Sequence, residues 1–334
     1  MPADKAPGPD GFTGRFYQYA WPIIKLDVLA AISHVFNRGD RGLHRLNDAL
    51  ILLLPKKADS VEVTSFRPIS LVHSFGKLIT KILAARLAPE LPKLIAPNQS
   101  AFIRRRSIHD NFRMVQLATK ALHARRVPTV LLKIDIAKAF DSVSWPFLLC
   151  ILRHMGFGER WIAIVCAILR SSSSRVFLNG VPGPRFWHRR GVRQGDPLAP
   201  MFFVAVMEAL NAFFRRAEED GMLAPLPCSG IKHRVSLYAD DVAIFLSPAR
   251  LDLETTRALL RCFGGATGFR TNVDKCIAMP IRCQQLHIDE VTDVFPCQVM
   301  HFPCPYLGLP LSYKRPSRAA LQPVLDKIIN RCPT

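Results

Sequence analysis

Apolar positions along the chain follow two spacings. Between residues 74 and 95 they recur every three or four places, at Phe75, Leu78, Ile79, Ile82, Leu83 and Leu87, the period of a helix that buries one face. The same spacing predicts helices over 13–37, with Pro22 as an interruption, and over 107–125, 145–154 and 159–170. Pro197 opens another to about Glu219, and two more cover 251–267 and 318–331. Shorter apolar runs read as strands: 50–54, 66–70, where Pro68 keeps Arg67 extended, and 130–135. Hairpins are predicted around Asn179-Gly180, over 235–246, and tightly over 306–312, while 98–103 is a loop or short strand.

Helices alternating with strand pairs predict an α+β fold with a largely antiparallel sheet backed by helices. With 334 residues, 49% of them hydrophobic, the chain has enough apolar surface for a sizeable core. There is no internal repeat and no long low-complexity segment. The opening residues lack the apolar stretch of a secretory signal. The longest unbroken apolar run, 161–169, is nine residues, short of a bilayer span, so no membrane partner is expected.

Charge narrows the function. A formal net charge of +19 favours a polyanionic partner over an ordinary charged surface. Dense spots lie at 104–106, 125–126 and 189–190. Nine cysteines at irregular spacing form no disulfide framework and fit a reducing compartment. Cys297, His301 and Cys304, with Cys283 and His287 upstream, have a loose ligand-like look, but no CxxC pair accompanies them. Buried thiols are the simpler expectation.

The candidate chemistry is acidic. Asp240 and Asp241 stand between two apolar runs, where a hairpin presents them at its tip, and Asp135 ends a β-branched run about a hundred residues earlier. Alone, Asp-Asp is also ordinary turn chemistry. Three carboxylates brought together repel one another unless cations lie between them, and Mg²⁺ prefers such oxygen ligands.

YADD at 238–241 resembles the catalytic box of reverse transcriptases. DIAKAFDSVSW at 135–145 resembles that family's first carboxylate box, and GVRQGDPLAP at 191–200 its nucleotide-pocket box, in the family's order and approximate spacing. KAPGPDGF at 5–12, LLLPKK at 52–57, FRPISL at 66–71 and YLGLP at 306–310 are similar to non-LTR, LINE-type enzymes of plants. The resemblance implies a right-hand polymerase. Its fingers would occupy about 1–110 and 146–194, its palm about 111–145 and 195–312, and its thumb would be a truncated stub over 313–334.

The same resemblance implies two Mg²⁺ ions, with Mn²⁺ as a substitute, held by Asp135, Asp240 and Asp241. It implies Lys275 as general acid, in a box where Cys276 replaces the usual Ser. Lys56 and Arg67 would clamp the triphosphate, with Lys57 an alternative to Lys56. Phe140 would be the gate against a 2′-hydroxyl, with core packing as the alternative. Gln194 and Gly195 would meet the incoming nucleotide, while Arg193 and Asp196 also read as a structural pair. Tyr306, Leu307 and Gly308 would grip the primer, unless they form a simple structural hairpin. The implied partners are an RNA template, a DNA primer or RNA/DNA hybrid, and deoxynucleoside triphosphates, inside the cell in nucleus or cytoplasm. The alternative is a catalytically inactive remnant that folds and binds nucleic acid.

Overall fold

The computed structural model describes residues 2–38, 42–226, 228 and 230–330. Contacts divide the chain into two compact units, Met1–Leu94 with Phe140–Val206, and Ile95–Ala139 with Met207–Thr334. The architecture is α+β, as the alternating pattern predicts.

In the first unit the strand Asp48–Pro55 is antiparallel to Phe66–Val72, in register from Ala49↔Val72 to Pro55↔Phe66. Its other edge runs parallel to Ser173–Leu178, which turns through Asn179 and Gly180, both at positive φ, into Val181–Pro182. The strand Phe186–Trp187 returns onto Ser173 and Ser174. Asp48, 3% exposed, ties this sheet together. It accepts from Ser173 Oγ at 3.0 Å, Arg175 at 2.7 Å and Arg185 at 3.2 Å. Burial raises its carboxyl, but the Arg175 and Ser173 hydrogen bonds and the arginine charges outweigh that and hold it below the usual range.

The segment KAPGPDGF has a structural use. The helix Ser74–Leu87 follows His73, which offers no capping side chain, and Asp10 supplies the cap across 64 positions. Its carboxylate accepts the Ser74 N–H at 2.9 Å, and Tyr17 closes the group through a 2.8 Å contact to Ser74 Oγ. Gly8 lies so close to the strand that a Cβ there would sit 2.2 Å from the Val72 carbonyl oxygen.

Two expectations shift. The helix expected over 13–37 is Gly14–Arg38 and runs through Pro22 without the expected interruption. Its Tyr19, Ile23 and Leu26 are exposed, and by length and composition alone Gly14–Asn37 would reach across a membrane, which a count of unbroken apolar residues misses. The single helix expected over 74–95 ends at Leu87 and resumes as Leu91–Leu94; Ala88 keeps helical backbone, but Pro89 has no N–H to carry the hydrogen-bond ladder further.

The second unit is built on a five-stranded sheet in the order Gln298–Val299, Ile277–Ile281, Thr129–Ile134, Asp241–Leu246, Val235–Tyr238. All neighbours are antiparallel except the first pair. Thr129–Ile134 and Asp241–Leu246 are almost wholly buried, as their largely apolar sequences require of central strands, with Lys133 and Asp241 the partly exposed exceptions. Leu131, Ala243, Phe245, Met279 and Ile281 pack against Val115, Ala118 and Leu122 of the helix Ile108–Ala124. That helix opens with a capping box of Ser107 and Asp110. The hairpin of Cys304–Tyr306 and Leu309–Leu311 adds Cys304, Tyr306 and Leu311 to the same core. The last helix is Arg318–Ile329, with no buried residue, and Arg331, its expected end, lies outside the described residues.

Candidate active site

Strand register sets the acidic cluster. The strands Thr129–Ile134 and Asp241–Leu246 pair from Val130↔Leu246 to Ile134↔Val242, so the next step of the register faces Asp135 toward Asp241. Tyr238↔Asp241 is the last pair of the hairpin of Val235–Tyr238 and Asp241–Leu246, which leaves Ala239 and Asp240 as its two-residue turn. Ala239 adopts φ 53°, a left-handed conformation that costs a side-chain-bearing residue energy and needs support.

The support comes from 98–100, which runs beside the hairpin. Gln99 is 0% exposed, and its Oε1 accepts the N–H groups of Ala101 at 2.9 Å and Ala239 at 3.2 Å. Leu237 donates to the Asn98 carbonyl at 2.8 Å, and Asn98 Nδ2 donates to Val235 O at 2.9 Å. Asn111 Nδ2 reaches Asn98 O, Ser236 Oγ and Leu237 O, each at 2.9 Å. Buried amides therefore brace the outer edge of the hairpin at nearly every residue.

The carboxylates sense one another. Asp240 is pushed up, first by desolvation and then by the charges of Asp241 and Asp135, with Lys133 opposing. The Asp240 side chain itself reaches the surface. Lys133 lies two places before Asp135, on the same strand face, and its Nζ is 3.2 Å from Asp241 Oδ1. Among the described residues no group of three or more His, Cys, Asp or Glu side chains is gathered tightly enough to hold an ion as it stands. The donor chemistry still fits a hard divalent cation, since all three groups are carboxylates and Asp240 bears repulsion that a cation would relieve. Among the described residues Cys297, His301 and Cys304 are not gathered to hold an ion. Cys304 lies in the core, and burial pushes its thiol up to about 12 and that of Cys297 to about 11.

Lys275 closes the 3₁₀ turn Val273–Lys275 with its side chain exposed. That turn is fastened to the first carboxylate by the Asn272 N–H, which donates to the Asp135 carbonyl at 2.8 Å, and by the pairing of Arg270 and Thr271 with Ala137 and Ile136. Cys276 is buried, and its thiol donates to the Asn272 carbonyl at 3.2 Å, a bond the customary serine hydroxyl would also make.

Tyr306, expected in the primer grip or a simple structural hairpin, has a side chain 0% exposed, with its ring stacked on Phe112, centroids 6.4 Å apart, and its hydroxyl 3.1 Å from Ser236 Oγ. Burial pushes the phenol well above its usual range. A side chain held this way packs the hairpin onto the sheet. Of the three residues expected to grip a primer, Leu307 and Gly308, both at positive φ, reach solvent.

The remaining site residues belong to the first unit. Lys56, Lys57 and Arg67 are exposed near the tip of the first hairpin, where Leu54↔Arg67 pair. Lys56 Nζ already donates to the Thr64 carbonyl at 2.8 Å, which leaves Lys57 the more available ammonium. Phe140 is half-buried and stacked on Phe203, centroids 4.6 Å apart. Its carbonyl accepts the Val192 N–H at 2.8 Å, which joins two of the boxes, and Trp145 donates to the Gly191 carbonyl at 2.7 Å. Gln194 accepts the Ser70 N–H on its own carbonyl at 3.0 Å and lines a cleft of about 270 Å³ with Pro68, Ser70 and Arg190. Gly195, at φ 105°, lies so near Ser70 that a Cβ would come within 2.9 Å of its carbonyl oxygen, so the close approach the glycine permits here is to protein backbone. Arg193 and Asp196 are a buried pair at 3.5 Å, and Arg193 also donates to the Asn47 carbonyl at 2.9 Å, which gives both a structural role.

Two acid side chains at the tip of one hairpin of a largely antiparallel sheet, Asp135 at the end of the neighbouring strand, and exposed cations and a Gln-Gly loop elsewhere in the chain fit the class of nucleic-acid polymerases. The family profile for Reverse transcriptase (RNA-dependent DNA polymerase) matches residues 54–311. The chain is 31% identical over 278 residues to the transposon TX1 uncharacterized 149 kDa protein of Xenopus laevis, covering 82% of this chain and 21% of that protein. It is 27% identical to the Pol polyprotein of the retrotransposable element R2DM of Drosophila melanogaster, covering 84% of this chain and 25% of the relative. It is 25% identical to the RNA-directed DNA polymerase from mobile element jockey of Drosophila funebris, covering 76% of this chain and 27% of the relative. Among solved structures, telomerase of Candida albicans in complex with a fragment of telomeric RNA superposes with a TM-score of 0.52 at 15% identity, covering 93% of this chain and 53% of that one, a likeness of fold. The chain belongs to the reverse transcriptase family and is a reverse transcriptase domain of the non-LTR retrotransposon kind. It spans between a fifth and about a quarter of the length of these three curated relatives.

Proposed function

We propose that the chain extends a primer 3′-hydroxyl with deoxynucleotides against an RNA template, using two Mg²⁺ ions, with Mn²⁺ as a substitute. The observation that carries this reading is the strand register, which brings Asp135 beside Asp240 and Asp241 at the hairpin tip. Asp135 and Asp240 would hold the ions jointly, with Asp241 beside them once Lys133 moves aside. Bound there, divalent ions make the attacking hydroxyl more acidic and neutralise the leaving pyrophosphate. Lys275 would give the pyrophosphate a proton from its exposed turn. Arg67 and Lys57, or Lys56 after leaving Thr64, would engage the triphosphate. Gln194 would hydrogen-bond the incoming nucleotide, and Phe140 would exclude a 2′-hydroxyl. Of the primer grip, only the Leu307-Gly308 turn stays in this reading.

In this reading the fingers cover about 1–110 and 146–194 and the palm about 111–145 and 195–312, with the thumb beginning at 313. The boxes KAPGPDGF and YLGLP support a LINE-type element of plant kind as the source. All eight described cysteines are free, which supports action inside the cell, in nucleus or cytoplasm. The test is primer extension on an RNA template with and without Mg²⁺. Asp240→Asn should lower the rate on the order of a thousandfold, several kcal/mol of charge stabilisation, with folding and template binding retained. An Asp240→Asn protein that extends as well as the parent would end the two-ion assignment. A folded parent that binds the hybrid but never extends it would favour the inactive remnant.

A further inference from the structure

We propose that a cleft beside the strand Phe186–Trp187, remote in sequence from the acidic cluster, takes an unpaired base of a single-stranded nucleic acid together with its phosphate. The proposal rests on the polymerase reading for its partner class. The cleft has a volume of about 550 Å³, within the range of small-molecule sites. Trp145 and Trp187 stand in its walls, Leu149 and Leu169 provide apolar surface, and Arg170 and Arg189 add two guanidiniums. No carboxylate lines it, and neither arginine has an ion-pair partner among the described residues.

The Trp145 indole and the backbone beneath Trp187 are held in place. Trp145 is fixed by its bond to the Gly191 carbonyl. Trp187 is 47% exposed, yet it lies on a strand paired at Ser173↔Trp187, and the next residue is tied twice. His188 donates its backbone N–H to Ser172 O at 3.2 Å, and its Nε2 lies 2.8 Å from Ser174 Oγ. A large aromatic left half in water on a rigid strand is a prebuilt stacking surface, and bases stack on such rings whatever their sequence. Burial and then Arg193 push His188 down to about 4, so at neutral pH the cleft's charge is that of its two arginines. The segment 188–194 also forms a wall of the 270 Å³ cleft that holds Gln194. A strand lying in the aromatic cleft would therefore pass close to the nucleotide-pocket box of this unit.

Two sources supply the same chemistry, a template ahead of copying and a displaced DNA strand. The experiment uses the full chain in EDTA, where no extension occurs, so its outcome is independent of catalysis. Binding is followed by tryptophan fluorescence for a uridylate dodecamer, a thymidylate dodecamer and an abasic dodecamer of equal charge. Trp187→Ala should weaken the base-bearing oligomers about tenfold and leave the abasic one unchanged, while Trp187→Phe should bind nearly as the parent does. Arg189→Gln should weaken all three a few fold. Tighter uridylate binding would assign the cleft to the template, and tighter thymidylate binding to the displaced strand. The proposal fails if Trp187→Ala binds uridylate as the parent does, or if the abasic oligomer binds the parent as tightly as uridylate. It also fails if an oligoglutamate competes equally well, because the cleft would then serve an acidic peptide.

Discussion

Gln99 shows how a residue outside every acidic motif shapes the acidic site. Its oxygen accepts from both Ala101 and Ala239, and Ala239 is the strained residue directly before Asp240. Gln99→Met keeps the volume and removes the acceptor. It should cost about 1–3 kcal/mol in chemical denaturation, the usual penalty for stranding buried donors, and should slow extension beyond what the lost stability explains. Unchanged denaturation would mean that the turn holds its own shape. Phe140 carries a second prediction. Phe140→Val removes a ring stacked on Phe203 and should relax discrimination between deoxynucleotides and ribonucleotides by at least about tenfold. The measurement is the ratio of incorporation efficiencies, and an unchanged ratio in an active variant would return Phe140 to packing alone. The acidic residues were legible in the sequence because their neighbours form local motifs. Gln99 and Lys133 were not, because their roles depend on contacts across long stretches of chain. Lys133 left one clue, its place two residues before Asp135.

At the level of elements, the opening loop and the final hairpin both turned out to hold structure together. Asp10 caps a helix that begins at Ser74. Asp10→Ala should therefore lower stability by about 1 kcal/mol, seen as a lower Tm, with Asp10→Asn losing less because it keeps an acceptor. Equal Tm values for the alanine variant and the parent would show that His73 and Tyr17 suffice. Most strands and helices followed from periodicity, since burial imposes the same spacing wherever it occurs. The inward direction of Tyr306 was not legible, because a motif reports which residue is present and not which way it faces. In a two-residue hairpin adjacent positions point to opposite sides, so one faces the core while the turn faces water. Pro22 misled in the other direction, because a helix can lose one backbone bond and continue.

Across the whole molecule, a net charge of +19 makes polyanion binding an ionic-strength experiment. If about six phosphates are contacted, affinity for an RNA/DNA hybrid should fall about a thousandfold between about 50 and 200 mM salt. A flat response would detach the charge from binding. Composition indicated the partner class and the strand pattern indicated the sheet, but neither located the long-range contacts that set the site's geometry.

The final hairpin has a consequence for where the folded body stops. Cys304, Tyr306 and Leu311 fill the same core as the helix Ile108–Ala124, whereas Arg318–Ile329 buries nothing. A protease added in limiting amount should therefore trim the chain back to the neighbourhood of Ser312 and stall there. Cleavage before Cys304 would instead open the sheet's apolar face and expose the rest to digestion. The resistant fragment would mark the shortest length of this polypeptide that still shelters the strands bearing Asp135, Asp240 and Asp241.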